Sequence, residues 1–225
     1  MIHSITEQGY FVNYLAKKSK ADQNHYFCGD HRVSGADCPT CKKPLLRFLK
    51  VDMLDTRLYL ESSPFEDLSL LYCWTCNIAQ APFYYQLKLD GGIDLLEYEK
   101  GGTKNDFPYK NYPIFFPGSH VRLDEITKDI QQDIILLNEG RKDECGEAVQ
   151  SHKLDRPKHQ IGGVPFFVQG LPKMKCLEGN EEMPFLASIA DDTVDGKGFT
   201  GNPFVQVIFH YCEKCHVVGA IQRCD

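Results

Sequence analysis

Three C-x-x-C pairs carry the chemistry this sequence offers: Cys38/Cys41 in CPTC, Cys73/Cys76 in CWTC and Cys212/Cys215 in CEKC. A C-x-x-C turn aims two thiolates at one tetrahedral ion with little strain, and a closed structural zinc site needs four ligands. The first two pairs supply them as Cys38, Cys41, Cys73 and Cys76. A redox dithiol or small buried packing residues are the competing readings of a single pair. Only the metal reading accounts for pairs that come two at a time. The third pair has no C-x-x-C mate. Cys176 is its candidate third ligand, and the fourth is open between Cys224, which is preferred, and His216 or His210. A zinc site with three protein ligands and an open position has catalytic geometry, so a metal-dependent enzyme stays as the alternative. The remaining option is a metal-free site of buried thiols. Cys28 and Cys145 fall outside this scheme and read as packed or partly exposed thiols.

The segments that must position these cysteines recur. CPTCKKPLLRFLKVD and CLEGNEEMPFLASIADD each run from a cysteine through a polar turn and Pro into an apolar strand ending in Asp. LSLLYCWTCNIAQ and VQVIFHYCEKCHVVGAIQ each deliver a C-x-x-C from an apolar strand. Upstream, HYFCG and HQIGG share His and a Gly four residues later. The order is the same in both halves, which predicts an internal duplication over about 1–115 and about 116–225. Cys176 then stands at the first knuckle of the second copy, and the second cysteine of that knuckle has been lost within LEGN.

The expected class is α+β, with mostly antiparallel sheets, a few helices, zinc-knuckle elements and two related lobes. A capping-box pattern at Ser4 and Glu7, with Phe11, Tyr14 and Leu15 at helical spacing, predicts a short helix over 4–18. A second helix is predicted within LDEITKDIQQDIILLNEG, with Ile126, Ile130, Ile134 and Leu137 as its apolar stripe and Gly140 at its end. FYYQLKLDGGIDLLEYE reads as a hairpin turning at Asp90-Gly91 or Gly91-Gly92. Strands are expected around LLRFLKVDM, LSLLYCW, VPFFVQ, PFLASIA, VQVIFHYC and VVGAIQRC. KGGTKNDFPYKNYPIFFPGSH and DDTVDGKGFTGNP read as loops, the first joining the lobes.

Composition narrows the function. Fourteen Phe and 11 Tyr favour sheet. A formal charge of -6 disfavours a general nucleic-acid or anionic-membrane binder, since both need a basic face, and it suits a basic partner. Lys42, Lys43, Arg47 and Lys50 near the first knuckle are scattered, and a solvated strand face accounts for them better than a nucleic-acid-binding zinc ribbon. The first twenty residues lack an apolar signal core, and no apolar run reaches membrane-span length. The expected setting is cytoplasmic, where disulfides are rare and metal is the usual use of clustered cysteines. No hydrolase elbow, zincin helix or phosphate loop is present. Asp191, Asp192 and Asp195 read as an acidic solvated loop rather than a cation site.

The stretch HQIGGVPFFVQG, with Cys176, MPFLASIADD and VQVIFHYCEKC, resembles the YwqG-like family of bacterial proteins, a domain of unknown function. The resemblance is strongest over 159–219. It rests on the Gly-Gly-Pro turn at Gly162, Gly163 and Pro165, the cysteines Cys176, Cys212 and Cys215, and the MPFL strand. It implies an α+β fold in a bacterial cytosol. Some relatives are similar to proteins encoded near secreted toxins, which implies an immunity or adaptor role. The functional expectation is a non-enzymatic, zinc-stabilised module that binds another, basic protein.

Overall fold

The computed structural model describes residues 4–15, 24–58, 63–73, 82–98, 112–146, 154, 156–167, 169–170 and 172–224. In chain order the elements are β1 (Tyr10–Tyr14), β2 (Tyr26–Phe27), β3 (Leu46–Asp52), β4 (Asp67–Tyr72), β5 (Phe83–Leu87), β6 (Ile93–Glu97), β7 (Ser119–Glu125), α1 (Lys128–Asn138), β8 (Gln160–Ile161), β9 (Phe185–Ala190), β10 (Val205–Cys212) and β11 (Val217–Cys224). The strands form one 11-stranded sheet in the order β4-β3-β2-β7-β1-β8-β9-β10-β11-β5-β6. Each pairing between these strands is antiparallel. Among the described residues no helix is long and apolar enough to cross a membrane.

The apolar strands are buried on both faces. β10 sends Val207, Phe209 and Tyr211 into a large aromatic core with Phe27, Phe48 and Phe83. Its alternate residues Ile208 and Cys212 enter a smaller cluster with Met174, Cys176, Met183 and Phe185. That alternation is the two-residue period of a strand. The predicted stripe of α1 holds: Ile126, Ile130 and Ile134 pack with Leu154, flanked by Phe11 and Leu137. Thr127 caps the helix through Ile130 N–H, and Gly140 follows it with φ +74°.

Exchanging β1–β4 with β7–β10 returns the order β4-β3-β2-β7-β1-β8-β9-β10 read backwards. The register obeys the same exchange. Tyr26 and Phe27 oppose Lys50 and Leu49 on one side, and Gln160 and Ile161 oppose Ser188 and Ala187 on the other. His25 accepts Asp52 N–H at Nδ1 (3.0 Å), and His159 accepts Ala190 N–H at Nδ1 (3.1 Å), each from the last residue of the matching strand. Left-handed backbone follows both short strands, at Cys28-Gly29 and at Gly162-Gly163. The pairings β1–β8 and β2–β7 cross the boundary near residue 115.

Two expected elements differ. In place of a helix over 4–18, residues 10–14 form β1, which lies between β7 and β8. Tyr10 and Val12 are buried and Asn13 is exposed, so period two wins. Pairing on both sides outweighs the local capping pattern. Ser4 instead bridges Phe185, whose carbonyl accepts from the Ser4 hydroxyl (3.3 Å) and from Ile5 N–H (3.0 Å). The expected strand around VPFFVQ is not one in its described part, 164–167 and 169. Its backbone is held by side chains: Gln131 bonds Val164 N–H and C=O, Asn138 bonds Phe167 N–H and Pro165 C=O, and Gln206 reaches Phe166 C=O. The hairpin of β5 and β6 forms as expected, with Gly91 at φ +82° in its turn.

Candidate metal centres

Cys38 opens a tight turn before β3. Its N–H donates to Lys43 C=O (2.8 Å), Lys42 N–H returns to Cys38 C=O (2.9 Å), and Asp37 and Pro44 bridge across the base. Lys42 takes φ +61°, which turns the chain just after Cys41. β4 brings Cys73 to the same place, with its sulfur 3.7 Å from that of Cys41. The sulfurs of Cys38, Cys41 and Cys73 all lie within 4.8 Å of one another. Thiolates at the usual zinc–sulfur distance around one tetrahedral ion stand about 3.8 Å apart. Cys76, the expected fourth ligand, lies outside the described residues.

The turn before β9 repeats this geometry. Cys176 N–H donates to Glu181 C=O (2.8 Å), Asn180 N–H returns to Cys176 C=O (2.8 Å), and Lys175 and Glu182 bridge the base. Asn180 takes φ +54°, as Lys42 does in the first turn. Residue for residue, Gly179 therefore occupies the place of Cys41. β10 delivers Cys212, and the β10–β11 turn, with His216 at φ +54°, delivers Cys215. Gln86 of the neighbouring β5 holds this turn by donating to Cys215 C=O (2.9 Å). The sulfurs of Cys176, Cys212 and Cys215 form the second triad within 4.8 Å.

Burial alone would raise the Cys176 thiol, but N–H groups of Gly179 and Glu178 point at its sulfur. With the thiols of Cys212 and Cys215 they bring it below its ordinary value. Burial pushes Cys215 up to about 12, reinforced by its two thiol neighbours, and it also raises Cys212. Three sulfurs thus share protons around one point, and a metal ion binds such a set by displacing those protons. Three soft, convergent sulfurs suit zinc or another thiophilic ion. Both triads could hold a metal ion.

The expected fourth ligands of the second site are not brought to it. Cys224 opposes Val205, whereas Cys212 opposes Val217, so Cys224 ends the far side of the β10–β11 ladder. The offset is seven strand residues, about 23 Å at the usual rise. Adjacency in sequence misled here because β11 runs away from the turn that holds Cys215. His210 is buried on the same strand, with Nδ1 on Met183 C=O (2.9 Å) and Nε2 without a hydrogen-bond partner, yet it does not join the triad. His216 stacks edge-on against Phe65 and meets Tyr211 Oη at 3.4 Å. Cys28 is buried, and its thiol is raised by burial. Cys145 is half-buried and faces Asp133 C=O at 3.6 Å. The Asp191 carboxylate ties the 191–203 loop by accepting from Thr200 and Asn202 N–H and from Phe199 N–H.

Sequence reasoning missed two buried histidines. His25 presents Nε2–H to Asp55 (2.8 Å), and Asp55 also receives Arg57 (2.6 Å). Burial opposes the Asp55 charge, but Arg57 and His25 outweigh it and hold the carboxyl at about 2. His159 presents Nε2 to Tyr14 Oη (2.8 Å), and burial lowers it to about 3. The HYFCG/HQIGG correspondence was the signal that could have found this pair. His159 lines a cleft of about 680 Å³ with Phe11, Asp124, Lys158 and Asp192. The cleft opens at the Ala190 end of β9, opposite Gln206, and Cys212 lies six residues further along β10.

Comparisons with known proteins return no matching family model, no matching curated protein and no matching solved structure.

Proposed function

We propose that this chain is a non-enzymatic, zinc-stapled binding module built by internal duplication. The observation that carries the reading is the placement of two thiol triads on equivalent turns of the two halves. Each triad joins the turn before a central strand to the end of the next strand, as a staple would. The exchange symmetry of strand order, histidine contacts and left-handed turns supports duplication as the origin. Cys76 completes the first site in this reading. Ala190 at the cleft opposes Gln206, about 20 Å of strand from Cys212 of the second triad, so in this reading the metal holds the sheet and the cleft remains for a ligand.

The partner in this reading is a basic protein, favoured by the formal charge of -6. The motif resemblance to YwqG-like proteins supplies the bacterial cytoplasmic setting and the immunity or adaptor role. Two measurements test the proposal. Metal analysis of protein purified without added metal is expected to give two zinc ions per chain. Capture from the native host is expected to yield one basic protein at near-equal amount. A metal-free folded chain overturns the staple, and a capture that stays empty after cross-linking overturns the binding role.

A further inference from the structure

We propose that the second triad holds its ion with three protein sulfurs and keeps a fourth, solvent-facing position that takes a small exogenous thiol. The inference rests on the metal reading of that triad and goes beyond it by assigning a ligand. The open corner is identified by Gly179. It occupies the position of Cys41 in a turn whose hydrogen bonds, bridge and left-handed residue are otherwise the same. A Cβ built on Gly179 would stand 3.6 Å from Cys215 Sγ, and among the described residues, its chain neighbours aside, no other heavy atom comes within 4 Å. A side chain at 179 therefore points at the triad through space that the protein leaves empty.

Among the described residues, the alternative ligands do not join the triad. Cys224 is at the far end of its strand, and His210 and His216 stand outside the triad. The corner is also accessible. Leu177, Glu178, Gly179 and Asn180 are all exposed, and Cys215 is half-buried. Lys214 is paired to Glu181 at 2.9 Å, so that lysine is not free to recruit a hard anion to the corner. Three thiolates on a divalent ion leave a net charge of -1, which disfavours a doubly charged phosphate, and a hard carboxylate oxygen matches such an ion poorly. A soft sulfur donor matches the ion that thiolates select. On binding, the thiol sulfur forms a bond to the ion, its proton passes to the buffer, and solvent leaves the corner.

Cobalt(II) loading of the full chain reads this directly, because thiolate-to-cobalt absorption counts sulfurs. Metal content is measured first. With two ions bound, adding 2-mercaptoethanol is expected to raise the charge-transfer band by one thiolate's increment and shift the ligand-field bands. Gly179→Cys is expected to show that increment without added thiol and to respond no further. Gly179 does not have positive φ, so a side chain there is unstrained. Gly179→Ala, which adds bulk without a ligand, is expected to keep the thiol response. Two bound ions with no thiol response, or a response that persists in Gly179→Cys, overturns the inference and leaves the staple reading standing. A chain that holds a single ion, lost in Cys73→Ser, overturns the metal reading of the second triad, and this inference falls with it.

Discussion

Acidification should destabilise this protein through His159, and the size of the effect follows from its contacts. Nδ1 accepts the Ala190 N–H at 3.1 Å, which leaves the ring proton on Nε2, facing Tyr14 Oη at 2.8 Å. A second proton must enter at Nδ1, against an N–H donor and without water. Burial accordingly lowers the folded-state value to about 3, whereas an unfolded histidine titrates near 6.5. The unfolded chain therefore binds a proton that the folded chain does not. The contribution is complete above about pH 6.5 and is lost as pH falls from there toward about 3. The slope is about 1.4 kcal/mol per pH unit within that window, and integration from neutral pH gives a loss of about 2 kcal/mol at pH 5. Urea unfolding followed by circular dichroism from pH 7 to 5, in wild type and in His159→Gln at one zinc concentration, isolates this group. The constant packing cost of the variant drops out, as do the carboxylates and metal ligands common to both. The variant is expected to lose about 2 kcal/mol less than wild type on going to pH 5. Parallel pH profiles would refute the argument, because they would mean that His159 titrates alike in both states.

Three other substitutions probe the remaining framework. Cys73→Ser is expected to release one of two zinc ions and lower the thermal midpoint by ~10 °C or more, taking several kcal/mol at about 3 °C each; an unchanged midpoint would defeat the structural role of the first site. Asp55→Ala removes the acceptor shared by His25 and Arg57 at a buried position, and denaturant unfolding is expected to show a loss of about 3–5 kcal/mol. Gly163→Ala forces a side chain onto φ +59°, with its Cβ 2.4 Å from Gln131 Oε1 and 2.7 Å from Gly9 Cα. The left-handed conformation alone costs about 1–2 kcal/mol, so chemical denaturation should show at least that loss.

What could be read in the sequence was what local spacing encodes. The C-x-x-C turns announce themselves because both sulfurs sit on one turn, and strand alternation in VQVIFHYC and helical periodicity in Ile126, Ile130 and Ile134 are equally local. The mostly antiparallel sheet followed from these patterns. The identity of β1 did not, because YFVNY becomes a strand through partners more than a hundred residues away. The same limit explains Cys224: chain proximity to Cys215 says nothing about distance once β11 leaves the turn. The Asp55 network was illegible for a related reason. Its histidine and carboxylate are 30 residues apart and meet only when β2 pairs with β3.

On the duplication proposed above, the two halves depart from each other at two equivalent positions. At the histidine position, the first half pairs His25 with the buried Asp55, which the half-buried Arg57 also reaches, while the second half places His159 at the wall of the cleft. At the knuckle, the first half has Cys41, and the second half has the exposed Gly179. The knuckle difference leaves the second half with the more accessible sulfurs, while both histidines stay buried. On the staple reading, a closed ion anchors one end of the sheet, and that anchoring frees the equivalent knuckle position at the other end to face solvent. If this division holds, Gly179→Cys should raise stability when zinc is present while abolishing thiol binding, because one substitution converts the accessible site into a copy of the anchoring one. A variant that gains stability yet keeps thiol binding would separate the two properties and break the argument.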